Sequence, residues 1–156
     1  MPIAVNRNGT VFLEFSPIPE RELDSDTYRP LPGAIIAVRH SQDFLLVYHR
    51  TRKEWELPGG RIEEGESPHD CAVRELFEET GQSIECLAFE AILKLRVESD
   101  NRISFAALYS GSLAVPAPFR ESEEISKIMF WDGKTDIGYV DEIDAAVINL
   151  LQTGGV

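Results

Sequence analysis

The chain has 156 residues, of which 43% are hydrophobic and 27% are charged, a composition typical of a globular protein with one core. Its 27 acidic and 15 basic residues give a formal net charge of -12, which argues against binding nucleic acid polymers or anionic membranes through a basic face. No apolar run is long enough to cross a membrane, and residues 1–15 lack the pattern of a signal peptide, so cytoplasmic residence is expected.

The N-terminal region, residues 1–32, is predicted to add a strand and a loop to a core that begins after it. Residues 11–15 favour a strand, whereas the proline- and acid-rich residues 16–32 cannot continue a central strand. We favour an edge strand followed by a surface loop, and the alternative is a lid or a dimer contact. Because no repeat or linker divides the sequence, we expect a single domain over residues 1–156.

Two hairpins and a later strand are predicted from short runs of Ile, Val, Leu and aromatic residues separated by polar turns. The first hairpin comprises residues 33–39 and 44–49, and the second comprises residues 84–97 and 103–109. Residues 125–131 favour the last strand, which follows a loop that contains prolines and acidic residues.

A helix is predicted near the C-terminal end, where apolar residues recur at helical spacing and acidic residues occupy the positive end of the helix dipole. Such a helix would cover one face of the sheet. These elements alone predict mixed α and β structure. The apolar residues are Val140, Ile143, Val147, Leu150 and Leu151, and the acidic residues are Asp141, Glu142 and Asp144.

A strongly acidic helix is predicted between Ser67 and Gly81. Ser67 is a suitable N-cap with a proline after it, and Gly81 can end the helix in the left-handed conformation. Asp70, three residues after Ser67, could complete a capping box. The apolar residues of this helix are expected to pack on a core, and they are Ala72, Val73, Leu76 and Phe77.

Glu75, Glu78 and Glu79 lie at i, i+3 and i+4, so their carboxylates should project from one helix face about one turn apart. Mg²⁺ would relieve this crowding, because it prefers oxygen ligands and usually lies between carboxylates and substrate phosphates. Residues 55–60 predict a short strand that ends in a Pro-Gly-Gly turn. The carbonyl oxygen of Gly59 is a candidate ligand, because a backbone that bends sharply beside a metal cannot easily carry a side chain. For any single glutamate, a solvated helix face is the alternative.

The stretch from Gly60 to Gln82, GRIEEGESPHDCAVRELFEETGQ, resembles the signature box of the Nudix hydrolases. Its one departure is Gln82, where the family has an aliphatic residue that seats the end of the helix on the core. We interpret this departure as a packing change. The resemblance implies the α/β/α sandwich of MutT-like Nudix proteins, with a mixed central sheet. The residues that match the box are Gly60, Glu66, Arg74, Glu75, Leu76, Glu78, Glu79 and Gly81.

The resemblance also implies roles for single residues and a requirement for Mg²⁺ or Mn²⁺. Glu78 and Glu79 would be metal ligands, and Glu75 would be a ligand or the base that activates water. Arg74 would orient Glu75, because its rigid charged fork can hold a carboxylate in one rotamer. Glu66 would be a more remote ligand or the partner of Arg74.

The acidic loop at residues 120–124 is a further candidate, because many Nudix enzymes carry an extra carboxylate there as base or ligand. Glu124 is preferred for either role, because the strand that follows anchors its backbone, whereas Glu121 must first be ordered. A solvated loop rim is the alternative for both. Cys71 falls on the acidic helix face, but no partner base makes it a nucleophile, and it is expected, like Cys86, to be a reduced thiol.

The reaction that the resemblance implies is hydrolysis of a nucleoside diphosphate linked to another group X. Residues 96–100 lack the marker residues of the ADP-ribose and dinucleoside polyphosphate groups, so a nucleoside triphosphate giving monophosphate and pyrophosphate is favoured. The alternatives are an ADP-ribose or nucleotide-sugar pyrophosphatase, a Nudix-like module that senses a nucleotide without turnover, and a cation-binding structural domain. The expected partner is a small nucleotide, with no nucleic acid polymer and no membrane, and the chain is expected to be a monomer or a homodimer.

Overall fold

The computed structural model describes residues 1–154 and contains a nine-stranded mixed sheet between two α-helices. This is the α/β/α sandwich expected from the sequence. The helices are α1 (Pro68–Thr80) and α2 (Glu142–Gln152). The strands are β1 (Ala4–Val5), β2 (Val11–Ser16), β3 (Gly33–His40), β4 (Asp43–His49), β5 (Glu54–Glu56), β6 (Gly59–Arg61), β7 (Ala88–Val97), β8 (Arg102–Ser112) and β9 (Ile125–Trp131).

The sheet runs in the order β1-β2-β7-β8-β3-β4-β5, with β6 paired to β3 and β9 paired to β4. Among the strand pairs of residues 1–154, only β3 and β8 are parallel. Both predicted hairpins are present, as β3–β4 and β7–β8. The pairing of β6 with β3 places Gly60 opposite Ala34, next to the first turns of α1.

Two hydrophobic cores, one on each face of the sheet, hold the helices. Alternate residues of β3 point to opposite faces, so Ile36 lies in the core under α1 and Ala37 lies in the core under α2. Leu76 of α1 and Val147 of α2 are both wholly buried in their respective cores. No helix within residues 1–154 is long and apolar enough to cross a membrane.

The N-terminal region adds two strands to the sheet and then crosses the face that carries α1. β2 pairs with β7 on one side and with β1 on the other, so the edge strand is β1 and not β2 as predicted. The prediction of a surface loop after β2 is wrong for Leu23, which is buried in the core under α1. The Tyr109 hydroxyl also donates to Glu20 at 2.7 Å, so this segment covers part of the core.

The N-cap and the glycine stop predicted for α1 are present, but among the hydrogen bonds of residues 1–154 none joins the Asp70 carboxylate to the Ser67 N–H, so the capping box is not completed. The Ser67 hydroxyl accepts from the Asp70 N–H at 3.0 Å, and Gly81 adopts a φ of 79° while its N–H donates to the Phe77 carbonyl at 2.9 Å. The prediction that Phe77 packs on the core is wrong, because this residue is 52% exposed. It follows the buried Leu76 by one position, which turns it about 100° around the helix axis.

Candidate functional site

Two acidic side chains of α1 pack against the glycines of β6. A Cβ atom added to Gly60 would come within 2.4 Å of the Glu75 carboxyl carbon, so a side chain there would displace the Glu75 carboxylate. One turn later, Glu79 is buried and accepts a hydrogen bond from the Gly59 N–H at 3.0 Å. A Cβ atom at Gly59 would in turn meet the Ala34 carbonyl oxygen at 2.6 Å. The Pro-Gly-Gly sequence thus lets the helix and the strand approach closely.

Burial changes the acidity of these two carboxyl groups. It raises the pKa of Glu79 to about 8, although the hydrogen bond from Gly59 acts in the opposite direction. Burial also raises the pKa of Glu75, against the effect of Arg74. The negative charge of Glu124 raises the pKa of both groups further. The site therefore contains partly desolvated carboxyl oxygens whose negative charges repel one another. A hard divalent cation binds such oxygens and would relieve the repulsion.

The guanidinium of Arg74 organises the carboxylates on the outer side of α1. It holds both oxygens of Glu66 at 2.7 and 2.9 Å, and it also donates to Glu75 at 2.8 Å and Glu78 at 3.0 Å. The bonds from Arg74 are the main reason why the pKa of Glu66 is lowered to about 2. The sequence left two roles open for Glu66, a remote metal ligand or the partner of Arg74. The structure shows Glu66 as the partner of Arg74.

The three glutamates of the helix do not converge on one point. The side chain of Glu78 is 57% exposed and turned towards Arg74, whereas Glu79 is buried beside Gly59. Within residues 1–154, no group of three His, Cys, Asp or Glu side chains is arranged to hold a metal ion. Glu75, Glu78, Glu79 and the Gly59 carbonyl thus stay candidate ligands.

Glu124 lies at the start of β9, and its carboxylate is 73% exposed. Its backbone carbonyl accepts from the Arg50 N–H at 2.7 Å, and its carboxylate is 3.8 Å from Nε2 of His49. The buried His49 accepts the Arg52 N–H at Nδ1 (3.1 Å), so a neutral imidazole carries its proton at Nε2, facing Glu124. The sequence did not predict that His49 lies beside Glu124. The one signal for it was its position, as a histidine at the end of an apolar strand.

Further carboxylates from β5 and α2 lie next to this region. Arg52 holds both oxygens of Glu56 at 2.6 and 2.9 Å. Burial, together with Glu56, raises the pKa of Glu54 to about 8. Asp144, which is buried in the first turn of α2, accepts from the Leu57 N–H at 3.0 Å. This bond connects α2 to the strand that leads into Gly59, and the sequence gives no signal for it.

Cys71 and Gln82 are also among the buried residues of the box. The Cys71 thiol donates to the Gly60 carbonyl at 3.6 Å, and burial raises its pKa to about 12, which disfavours a nucleophilic role. Gln82 is also fully buried, but its amide is hydrogen-bonded to Ala117. The interpretation of Gln82 as a packing change is therefore incomplete.

The fold and the site together define a class of protein: an α/β/α sandwich in which an acidic helix packs on a glycine strand. Residues 29–149 match the family model of the NUDIX domain. Because this match covers most of the sequence, the chain belongs to the NUDIX domain family, as the box predicted. The assignment rests on far more of the chain than the 23 residues between Gly60 and Gln82.

Curated relatives match over shorter segments. The chain is 49% identical over 47 residues to the "Putative 8-oxo-dGTP diphosphatase" of Bacillus subtilis, which is 30% of this chain and 32% of that protein. It is 38% identical over 79 residues to the RNA pyrophosphohydrolase of Cereibacter sphaeroides, which is 46% of each chain. The chain thus matches less than half the length of each of these relatives.

Solved structures resemble the chain over more of its length. The pyrophosphohydrolase BsRppH from Bacillus subtilis has a TM-score of 0.70 at 16% identity and covers 97% of this chain and 96% of its own. The MutT NUDIX hydrolase from Burkholderia pseudomallei has a TM-score of 0.65 at 16% identity, with 75% and 94% covered. At these identities the likeness shows the fold.

Proposed function

We propose that this chain is a Mg²⁺- or Mn²⁺-dependent hydrolase that cleaves the diphosphate bridge of a nucleoside diphosphate linked to another group. The favoured reaction converts a nucleoside triphosphate into the monophosphate and pyrophosphate. The observation that carries this proposal is the packing of the half-buried Glu75 and the buried Glu79 against Gly60 and Gly59. Two partly desolvated carboxyl groups in this position would be stabilised by a divalent cation. The cation would in turn bind the phosphates of a polyphosphate.

The oxygen donors around the site are of the chemical type that such a cation prefers. Glu75, Glu78 and Glu79 would hold it, with the carbonyl oxygen of Gly59 and the carboxylate of Glu124 as further ligands. When bound, the ion supplies neutralisation of the bridge oxygens and activation of water. A cation held by these carboxylates would also explain how a chain with a net charge of -12 can bind an anionic substrate.

The residues of the chain would divide the remaining tasks. Glu124 has an exposed carboxylate beside the site, so it can take the proton of the attacking water as general base. Glu75 is the alternative base, because Arg74 holds its carboxylate in one orientation at 2.8 Å. Arg74 itself is engaged by Glu66 on both oxygens and therefore acts on the orientation of Glu75.

The names of the relatives bear on the substrate. The Bacillus subtilis relative is named for 8-oxo-dGTP and the Cereibacter sphaeroides relative for RNA. Both names support a substrate with a terminal polyphosphate. We favour a small nucleoside triphosphate, because the net charge of -12 opposes contact with a long anionic polymer. The 5′ end of RNA is the second candidate, supported by the 38% identity to the RNA pyrophosphohydrolase.

A substrate panel with product identification tests this proposal. The purified chain and a Glu79→Gln variant are incubated with Mg²⁺ and nucleoside triphosphates, ADP-ribose, nucleotide sugars, dinucleotides or a short 5′-triphosphorylated RNA, and the products are identified by mass. We expect pyrophosphate release from a nucleoside triphosphate by the wild type alone. Nucleotide binding without any product would instead assign a sensing module, and cation binding without nucleotide binding would assign a structural domain.

A further inference from the structure

The side chain of Gln82 makes a two-point hydrogen-bonded pair with the backbone of Ala117. Its Nε2 donates to the Ala117 carbonyl at 2.8 Å, and its Oε1 accepts from the Ala117 N–H at 2.7 Å. Nε2 also donates to the Thr80 carbonyl at 3.2 Å, and the Gln82 N–H donates to the Thr80 hydroxyl at 3.0 Å. The amide is buried with its hydrogen bonds made, which an aliphatic residue at this position cannot reproduce.

Ala117 is well suited to be the point of attachment. It lies between Pro116 and Pro118, so it has the one backbone N–H of these three residues. The prolines fix their own φ angles and restrict the residues before them. Hydrogen bonds at Ala117 therefore hold a stiff segment, residues 116–118, in place. A Cβ atom at Gly81 would lie 3.0 Å from the Pro118 carbonyl oxygen, so this run lies directly on the end of α1.

Ala117 belongs to the loop between β8 and β9, residues 113–124, which is also held at both ends. At its start, the Leu113 N–H donates to the carbonyl of Arg39, near the end of β3, at 2.8 Å. At its end, the guanidinium of Arg50 donates to residues 121–123, with distances of 2.8 to 3.2 Å. The backbone N–H of Arg50 bonds the Glu124 carbonyl at 2.7 Å. Gln82 thus supplies the attachment in the middle of this loop.

We propose that Gln82 is a positioning residue that ties the 113–124 loop to the end of α1 and thereby keeps Glu124 beside Glu75 and Glu79. The role of Glu124 in the reaction rests on the proposed function, whereas the tie itself does not. Such a tie opposes any repulsion between Glu124 and the acidic residues of α1, which favours movement of the loop away from the helix. An aliphatic residue would leave the N–H and C=O of Ala117 without these partners.

Hydrogen exchange tests the tie without any need for turnover. Gln82→Leu has a similar volume, and Gln152→Leu is the matched control, because the Gln152 amide also donates to a backbone carbonyl, that of Asp132, at 3.0 Å. We expect the Ala117 amide to exchange at least about tenfold faster in Gln82→Leu than in the wild type or the control. Unchanged exchange would overturn the tie. Gln82→Met, which keeps the length of the side chain but lacks both amide groups that bond Ala117, replaces the leucine variant if that fails to fold.

Kinetics test whether the tie acts through Glu124. Gln82→Leu is expected to lower kcat by about 10- to 100-fold, with KM changed less than about twofold, because a misplaced base slows the chemical step. No further loss is expected when Glu124→Gln is already present. If Gln82→Leu lowers kcat by the same factor with and without Glu124→Gln, Gln82 has a purely structural role and the proposal is overturned. An inactive wild type would instead mark failure of the proposed function, which the exchange measurement does not depend on.

Discussion

Glu79 is the residue on which the proposed function depends most, because it is buried and bonded to the strand that carries the two glycines. We expect Glu79→Gln and Glu78→Gln each to lower kcat by at least about 100-fold, since the amide keeps the size but removes a charged oxygen from the cation. Thermal unfolding should change little. Glu64→Gln, at an exposed position of the same box, is the control. Wild-type rates for Glu79→Gln with Mg²⁺ would remove the central claim of the proposed function.

The same residue makes the stability of the cation-free protein depend on pH. The pKa of Glu79 is raised from 4.5 to about 8 on folding, so the folded state favours the protonated form. The contribution to stability is full below pH 4.5 and is lost as the pH rises to about 8. We expect the denaturant midpoint in EDTA to fall between pH 5 and pH 8 in the wild type and to fall less in Glu79→Gln. Equal slopes for both proteins would contradict this assignment.

At the scale of elements, Glu124 lies directly before β9, and it is the residue that we propose as the base. If Glu124 is the base, Glu124→Gln should lower kcat by about 10²- to 10⁴-fold with little change in KM, the range expected for loss of a general base. Glu123→Gln is the control, because Glu123 is an exposed neighbour on the same loop. A nearly silent Glu124→Gln together with a severe Glu75→Gln would move the base to α1.

The acidic face of α1 should make the protein's stability respond to divalent cations. We expect Mg²⁺ to raise the melting temperature by a few degrees, because it binds the folded carboxylates better than the unfolded chain and relieves their repulsion. The measurement is thermal unfolding with Mg²⁺ and with EDTA. A variant with glutamine at positions 75, 78 and 79 should lose the response. An equal rise in that variant would show that the cation binds elsewhere.

Elements with local signals could be predicted from the sequence. α1 begins and ends where Ser67 and Gly81 indicated, because capping depends on residues a few positions apart. Contacts between distant segments could not be predicted in this way. Neither the bond of Gln82 to Ala117 nor the approach of His49 to Glu124 leaves a pattern in the local sequence.

At the scale of the whole molecule, two side chains were placed wrongly from the sequence. The periodicity of α1 did not predict that Phe77 is exposed, and the composition of the N-terminal region did not predict that Leu23 is buried. Periodicity gives the direction of the apolar face but not its width, and Phe77 lies beyond the edge that the sheet covers. Leu23 is one apolar residue in an acidic stretch, so nothing local indicated that the segment folds back over the core. Each error concerns the shape of the surface against which a side chain packs.

The parallel pairing of β3 with β8, Gly33 to Ala106 and onwards, has a consequence for synthesis on the ribosome. β3 emerges from the ribosome long before β8. Until β8 is made, Ile36 and Val38, which are both wholly buried in the finished fold, are exposed to water or to other chains. Late, non-local pairing of apolar strands favours aggregation of nascent chains. We expect a fragment of residues 1–101, which ends before β8, to sediment as aggregates when it is expressed alone. A soluble monomeric fragment with native-like circular dichroism would contradict this expectation.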